Sequence, residues 1–214
     1  MEAYRHRVLS SWVNDISNTP HMGGRWPMTA LSSDTVRDTV QLIDMAARWG
    51  YNTLVSWGLF VDHSWPVDLA TSVSTEDRRK LHRLFEYAAS REIRLLVGLG
   101  IYSWGFEEII RAYPQLRQGE NIKVWGRVVP HNGDCMCFSQ SESREWMRRI
   151  VDFIVEVTDA PGFQLQPFDK GRCICPRCAE MDDATYFSAV SYDVANYIKE
   201  RWPDKMVVVS GWGM

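Results

Sequence analysis

Cys173, Cys175 and Cys178 put three soft metal ligands within six residues, at C-x-C-x-x-C spacing. A structural zinc ion takes four ligands, often through a C-x-x-C pair, so a fourth sulfur would have to come from elsewhere in the chain. Cys137 or Cys135 could supply it. The alternatives are reduced thiols packing a tight turn, or a disulfide in an exported protein. A redox role for Cys175 and Cys178 would call for a thiol activated at a helix N-terminus, and the thioredoxin order of elements is absent. Four residues before Cys173 stands a carboxylate, Asp169, at the end of the apolar run Phe163-Gln164-Leu165-Gln166. A carboxyl group there, beside Phe168, could be shielded enough to exchange a proton near neutral pH. It could equally pair with Lys170 or Arg172.

The elements that would position these groups follow from periodicity. Five apolar runs read as strands: Val8–Val13, Thr53–Phe60, Arg94–Ile101, Phe163–Gln166 and Lys205–Gly211. Between them lie segments with helical spacing. One follows Ser33-Asp34 with Val36, Val40, Ile43 and Ala47. A second follows Ser74-Thr75-Glu76-Asp77 with Leu81, Leu84, Phe85 and Ala88. A third is Ser141–Thr158, with Trp146, Ile150, Ile154 and Val157, and a fourth runs Asp183–Trp202. Phe106–Tyr113 reads as a short helix stopped by Pro114. Gln115–Asp134 reads as a long irregular connection, a length that suggests a functional loop.

Strand and helix alternating in this way make right-handed βαβ units around a parallel sheet. The fold class is therefore α/β. An open doubly wound sheet and part of an eight-stranded barrel both fit. No G-x-G-x-x-G or G-x-x-x-x-G-K-[ST] fingerprint is present, which removes the usual nucleotide sites. Polar and aromatic residues gather just after several strands: Trp57, Tyr102 with Trp104, Asp169, and Trp212. That favours a parallel (β/α) barrel of the TIM type, whose active face is the C-terminal rim. With about five strands the barrel is partial. Residues 1–214 read as a single domain, the N-terminal half to two-thirds of a catalytic barrel, to be completed by self-association or by a companion chain.

Composition sets the remaining bounds. A net charge of −3 and the absence of a basic run argue against nucleic acid as a partner. No apolar run approaches the roughly 18 residues that span a membrane, and the first residues do not read as a signal peptide. The five cysteines, odd in number and confined to Cys135–Cys178, do not read as a secreted disulfide framework. The expected compartment is cytoplasmic. Ten tryptophans are many for 214 residues. They read either as core or as flat platforms for a sugar ring.

The layout resembles the catalytic barrels of glycoside hydrolases, in particular the α-glucuronidase-like and β-N-acetylhexosaminidase-like groups. The resemblance rests on three segments: Tyr51-Asn52-Thr53-Leu54 entering the second strand, Cys135-Met136-Cys137 leading into Ser141-Glu142-Ser143-Arg144-Glu145, and Asp169 to Cys178 after the fourth strand. It implies a carbohydrate substrate and a carboxylate general acid/base at Asp169, chemistry for which no cofactor is required; a possible structural zinc is a separate expectation from the cysteine spacing. The hexosaminidases carry an adjacent Asp-Glu pair at this point, and here Lys170 follows Asp169. Substrate contacts would come from Trp57, Tyr102, Trp104, Trp212, Asp15 and His63, and metal contacts from Cys173, Cys175, Cys178 and Cys137. Two other readings stay open: a module that binds sugar or a partner without cleaving anything, and a zinc- or thiol-stabilised α/β domain.

Overall fold

The computed structural model describes residues 4–12, 31–57, 64–117 and 119–210. Five parallel strands form the main sheet: β1 (Val8–Trp12), β2 (Thr53–Trp57), β3 (Arg94–Gly100), β6 (Gly162–Gln166) and β8 (Met206–Val209). They lie side by side in that order, each hydrogen-bonded to the next in the chain's own sequence. A doubly wound sheet would reverse direction at a switch point. This one never does, and it curls into a half-barrel.

The helices between the strands begin where their caps dictate. Before α1 (Ser33–Arg48), the Ser32 hydroxyl accepts from the Thr35 amide at 3.1 Å. Before α2 (Thr75–Ser90), Ser74 does the same for Asp77 at 3.0 Å. After the single turn α5 (Pro176–Ala179), Asp182 caps α6 (Asp183–Arg201) through Thr185 at 2.7 Å. Each satisfies an amide that has no partner inside the helix. The strongest amphipathic segment, α4 (Ser141–Thr158), buries Trp146, Met147, Ile150, Ile154 and Val157. Neighbours along the chain also touch in space, α1 on α2, α2 on α4 and α4 on α6, as the outer ring of a barrel requires.

Strand alternation splits the sheet into two faces. One carries Leu54, Leu95, Val97, Leu99, Phe163 and Leu165, all buried. The other carries Val55, Trp57, Leu96, Gly98, Gly100, Gln164 and Gln166. The glycines on this second face are required by rings. A Cβ on Gly98 would lie 2.3 Å from Trp57 Cδ2, and one on Gly100 would lie 2.7 Å from Trp104 Cε3.

The expected irregular connection Gln115–Asp134 is more ordered than its composition suggested. After α3 (Glu107–Ala112) and a 3₁₀ turn at Pro114–Arg117, the chain makes a hairpin of β4 (Asn121–Val124) and β5 (Arg127–Pro130). Its two-residue turn is Trp125-Gly126, with φ of 51° and 76°. Both residues take the positive φ that suits the twist of a two-residue hairpin. A short strand, β7 (Arg172–Cys173), adds to the far side of β4 with Ile122 opposite Cys173, giving a second, antiparallel sheet of three strands. This small sheet ties the long connection after β3 to the loop after β6. No described helix is long and apolar enough to cross a membrane.

Candidate functional site

Parallel strands deliver all their C-terminal ends to one side, so the connections after β3 and β6 meet there. Both begin under strain. Tyr102, two residues past β3, has φ 59°, and Phe168, two residues past β6, has φ 70°. Bulky residues are seldom found in the left-handed region, and such conformations persist where surrounding structure enforces them, often at functional sites.

Three carboxyl groups converge at this rim. Asp169 follows β6. Its amide donates to Ser103 Oγ at 3.1 Å, which joins it to the connection after β3. Its Oδ1 accepts from Gln166 Nε2 at 3.1 Å. Burial raises its carboxyl above the usual range, against the pull of Lys170 and Gln166. Glu107 opens α3, and Asp134 lies ahead of α4. Burial and the adjoining Asp134 carboxyl push Glu107 up to about 8. The Glu107 Oε2 atom is buried without a hydrogen-bond partner. Lys170 Nζ lies 3.7 Å from Asp134 Oδ2 and balances part of the negative charge. Asp169 was legible in the sequence as a carboxylate ending a strand. Glu107 and Asp134 were not, because one reads as a helix-opening acid and the other as a loop residue. The only trace of Glu107 was a carboxylate just beyond the Tyr102-Ser103-Trp104 end of a strand.

The aromatic residues expected around this site are placed differently. Trp57 and Trp104 are each only 5% exposed, with their rings over Gly98 and Gly100. The Trp57 indole N–H donates to Ser10 Oγ at 3.0 Å. Tyr102, expected as a sugar contact, is a core residue: it is 1% exposed, packs edge-on to Phe138, and donates its hydroxyl to Asp193 Oδ2 on α6 at 2.8 Å. Its left-handed backbone turns the side chain from the rim into the helix layer. Asp15, His63 and Trp212 lie outside the described residues. A cavity of about 560 Å³ opens at the opposite end of the strands, lined by Asn52, Phe85, Ile93, Arg94 and Pro161. It sits at the N-terminal face, where barrels carry stability rather than chemistry.

The cysteines do come together. The sulfurs of Cys137, Cys173, Cys175 and Cys178 all lie within 4.8 Å of one another, and all four residues are buried. Cys137 Sγ is 3.6 Å from Cys175 Sγ and 3.8 Å from Cys178 Sγ. Ser139 Oγ sits 3.0 Å from Cys137 Sγ, and the Cys175 amide donates to Cys173 Sγ at 3.4 Å. Hydrogen bonds from the Cys173 and Cys178 thiols draw the Cys137 thiol strongly down, while the same contact with Cys137 raises Cys173 and Cys178. Cys135 is outside the group. Its sulfur faces the backbone oxygens of Met136 and Gly171, at 3.6 and 4.0 Å, and burial pushes its thiol up.

Arg172 holds the cysteine loop from within. It is 5% exposed, and its guanidinium donates to Asp183 Oδ1 at 2.8 Å, to Cys178 O at 3.1 Å and to Met181 O at 2.8 Å, while stacking over Tyr186. This planar fork uses donors in several directions at once, which a lysine could not reproduce. His131 is part of a turn: Nδ1 accepts from the Gly133 amide at 2.8 Å, and Nε2 lies 2.7 Å from Cys135 O.

No known protein family matches the chain by sequence, and no curated protein does either. Solved structures do match it in shape. A β-N-acetylhexosaminidase from Bacteroides fragilis aligns over 81% of this chain and 37% of its own, at 16% identity and a TM-score of 0.54. A chitobiase from Flavobacterium johnsoniae aligns over 81% and 29%, at 13% identity and a TM-score of 0.57. An α-amylase from Anoxybacillus aligns over 83% and 40%, at 12% identity and a TM-score of 0.54. The chain thus spans about a third of the length of the solved proteins it matches. At these identities the likeness is one of fold: this half-barrel has the shape of part of a glycoside hydrolase barrel.

Proposed function

We propose that this chain is part of a glycoside hydrolase barrel whose proton transfers are carried out by Glu107 and Asp169, on a carbohydrate substrate. The observation that supports this reading is the convergence of Glu107, Asp134 and Asp169 at the C-terminal ends of β3 and β6, with one of the three holding a proton at neutral pH. Glycosidic bond cleavage needs two carboxyl groups in different protonation states. Environments that push two carboxyls apart assign the roles. Glu107, at about 8, is the proton donor to the leaving oxygen. Asp169, opposed by Lys170 and Gln166, is the carboxylate that acts as base. Asp134 keeps the proton on Glu107. The shapes shared with a hexosaminidase, a chitobiase and an amylase agree with this class of chemistry.

The test is a pH–rate profile on a panel of aryl glycosides with good and poor leaving groups. The Glu107 carboxyl lies above its ordinary value of 4.5, so its protonated form prevails at lower pH and is lost as pH rises through about 8. Turnover should fall along that limb, while the stability linked to this group is fully present below about 4.5, declines as pH rises from there to about 8, and is level above it. Glu107→Gln should slow substrates with poor leaving groups by roughly 10² to 10⁴-fold and spare those whose leaving group needs no proton. Equal loss on both kinds of substrate, or no loss, would remove the donor role.

The reading also includes a partner surface. Among the described residues β1 pairs only with β2 and β8 only with β6, and Val8 and Val209 are 42% and 39% exposed. Open edges of this kind invite further strands. In size-exclusion chromatography the 214-residue polypeptide by itself should elute larger than a monomer. A monomer that melts cooperatively would instead mark the sheet as self-sufficient.

A further inference from the structure

We infer that Cys137, Cys173, Cys175 and Cys178 bind one zinc ion, and that this ion locks the connection after β3 to the loop after β6. Four thiolates at Zn–S distances of about 2.3 Å form a tetrahedron whose sulfur–sulfur edges are about 3.8 Å. The edges from Cys137 to Cys175 and Cys178 are 3.6 and 3.8 Å, and no sulfur of the four lies beyond 4.8 Å from another. Two cysteines awaiting a disulfide would account for one close pair, whereas here four sulfurs close around one centre. An iron–sulfur cluster divides its cysteines among several irons and sets them farther apart, so the spacing selects a single ion. A set of four sulfurs with no open position is the ligand set of a structural site.

The surroundings suit such an ion. Four thiolates around a divalent metal leave a net negative charge that donors must offset. The Ser139 hydroxyl at 3.0 Å and the Cys175 amide at 3.4 Å point to the sulfurs, and the buried Arg172 brings its guanidinium to the same loop. Hydrogen bonds to the sulfurs of this kind are the outer support that metal sites require. The four ligands come from two segments that are far apart in sequence. Cys137 lies three residues after Asp134, and Cys173 lies four residues after Asp169. The ion therefore fixes the separation of these two carboxylates by joining the loops that carry them.

The 214-residue chain, purified without a metal-binding tag or chelator, should carry about one zinc by elemental analysis. The metal should resist mild chelation and leave on addition of a mercurial reagent. Growth with cobalt should give the intense thiolate charge-transfer absorption and the visible bands of a tetrahedral cobalt site. Cys137→Ser should lose most of the zinc, while Cys135→Ser, equally buried and two residues away, should keep it. Should Cys137→Ser fail to fold, the cobalt spectrum of the unaltered protein decides. Five freely titrating thiols with no metal in a folded chain would overturn the proposal. So would iron as the sole metal, a disulfide among the four, or equal loss of zinc from both serine variants. None of these readouts uses glycoside turnover, so the metal site and the proposed function stand or fall separately.

Discussion

Asp169→Asn lowers turnover by roughly 10² to 10⁴-fold, the share that a positioned acid or base contributes, and leaves the melting temperature almost unchanged. Both halves follow from what the side chain touches. Asparagine keeps the size, the backbone amide that donates to Ser103 Oγ, and an oxygen that can still accept from Gln166 Nε2. The substitution removes only the charge and the capacity to take up a proton. Half-buried positions altered this gently usually change stability by no more than about 0.5 kcal/mol. The assay belongs on whatever length of chain turns over an aryl glycoside. Wild-type turnover on a substrate with a poor leaving group would take Asp169 out of the reaction. A large fall in melting temperature would mean that its carboxylate serves the fold.

Gly162→Ala is the substitution with the largest expected cost in stability. Gly162 opens β6 directly opposite Met206 of β8. A Cβ there would stand 2.1 Å from the Met206 carbonyl oxygen and 2.8 Å from its carbonyl carbon and its nitrogen. A flexible side chain could swing away from such a contact. This one is with backbone that also takes part in the sheet, since the Met206 amide donates to Pro161 O at 2.8 Å. Relief requires β8 to shift and its ladder to loosen. Overpacking usually costs about 1–3 kcal/mol, and a clash with strand backbone belongs at or above the top of that range. For a chain of this size about 3 kcal/mol lowers the melting temperature by roughly 6–12 °C. Gly50→Ala provides a contrast. Nothing lies within 4 Å of its Cβ position, and its cost comes only from a φ of 80°. Equal melting temperatures for Gly162→Ala and the unaltered chain would mean that β6 and β8 are not paired as described.

The strands and helices of the main sheet were legible in local sequence. The strands read as short apolar runs, α1, α2 and α6 each follow a Ser or Asp cap, and α4 carries a strong apolar stripe, so the local signals agreed with the final topology. The register of β3 with β6, Val97 opposite Phe163 and Leu99 opposite Leu165, places these large apolar residues of both strands on one face. The hairpin at Trp125-Gly126 was also written locally, in two β-branched pairs around a glycine, but the length of the connection obscured it. Asp169 and the C-x-C-x-x-C run were legible because each is a local pattern.

Tertiary structure decided which distant residues join them. Glu107 and Asp134, both on the connection after β3, come to the same rim as Asp169 after β6 because connections that follow different strands emerge on one side of a parallel sheet, a consequence of direction and closure that no window of sequence encodes. Two positions apart on an extended segment, Cys135 and Cys137 would share a face, so it is the tertiary placement of this segment that brings Cys137 to the other three sulfurs and leaves the Cys135 sulfur against the Met136 and Gly171 oxygens. That segment is pinned by the Met136 amide on Tyr102 O and the Cys137 amide on Leu116 O, each at 2.7 Å. Trp57 belongs to the core because Gly98 leaves a hollow on the neighbouring strand, and Trp104 because Gly100 leaves one at the end of the strand it follows; a ring of about 200 Å² gains more by filling a hollow than by waiting at a rim. An isolated tryptophan after a strand carries no sign of which will happen, since the hollow that settles it lies about 40 residues further along the chain in the case of Trp57.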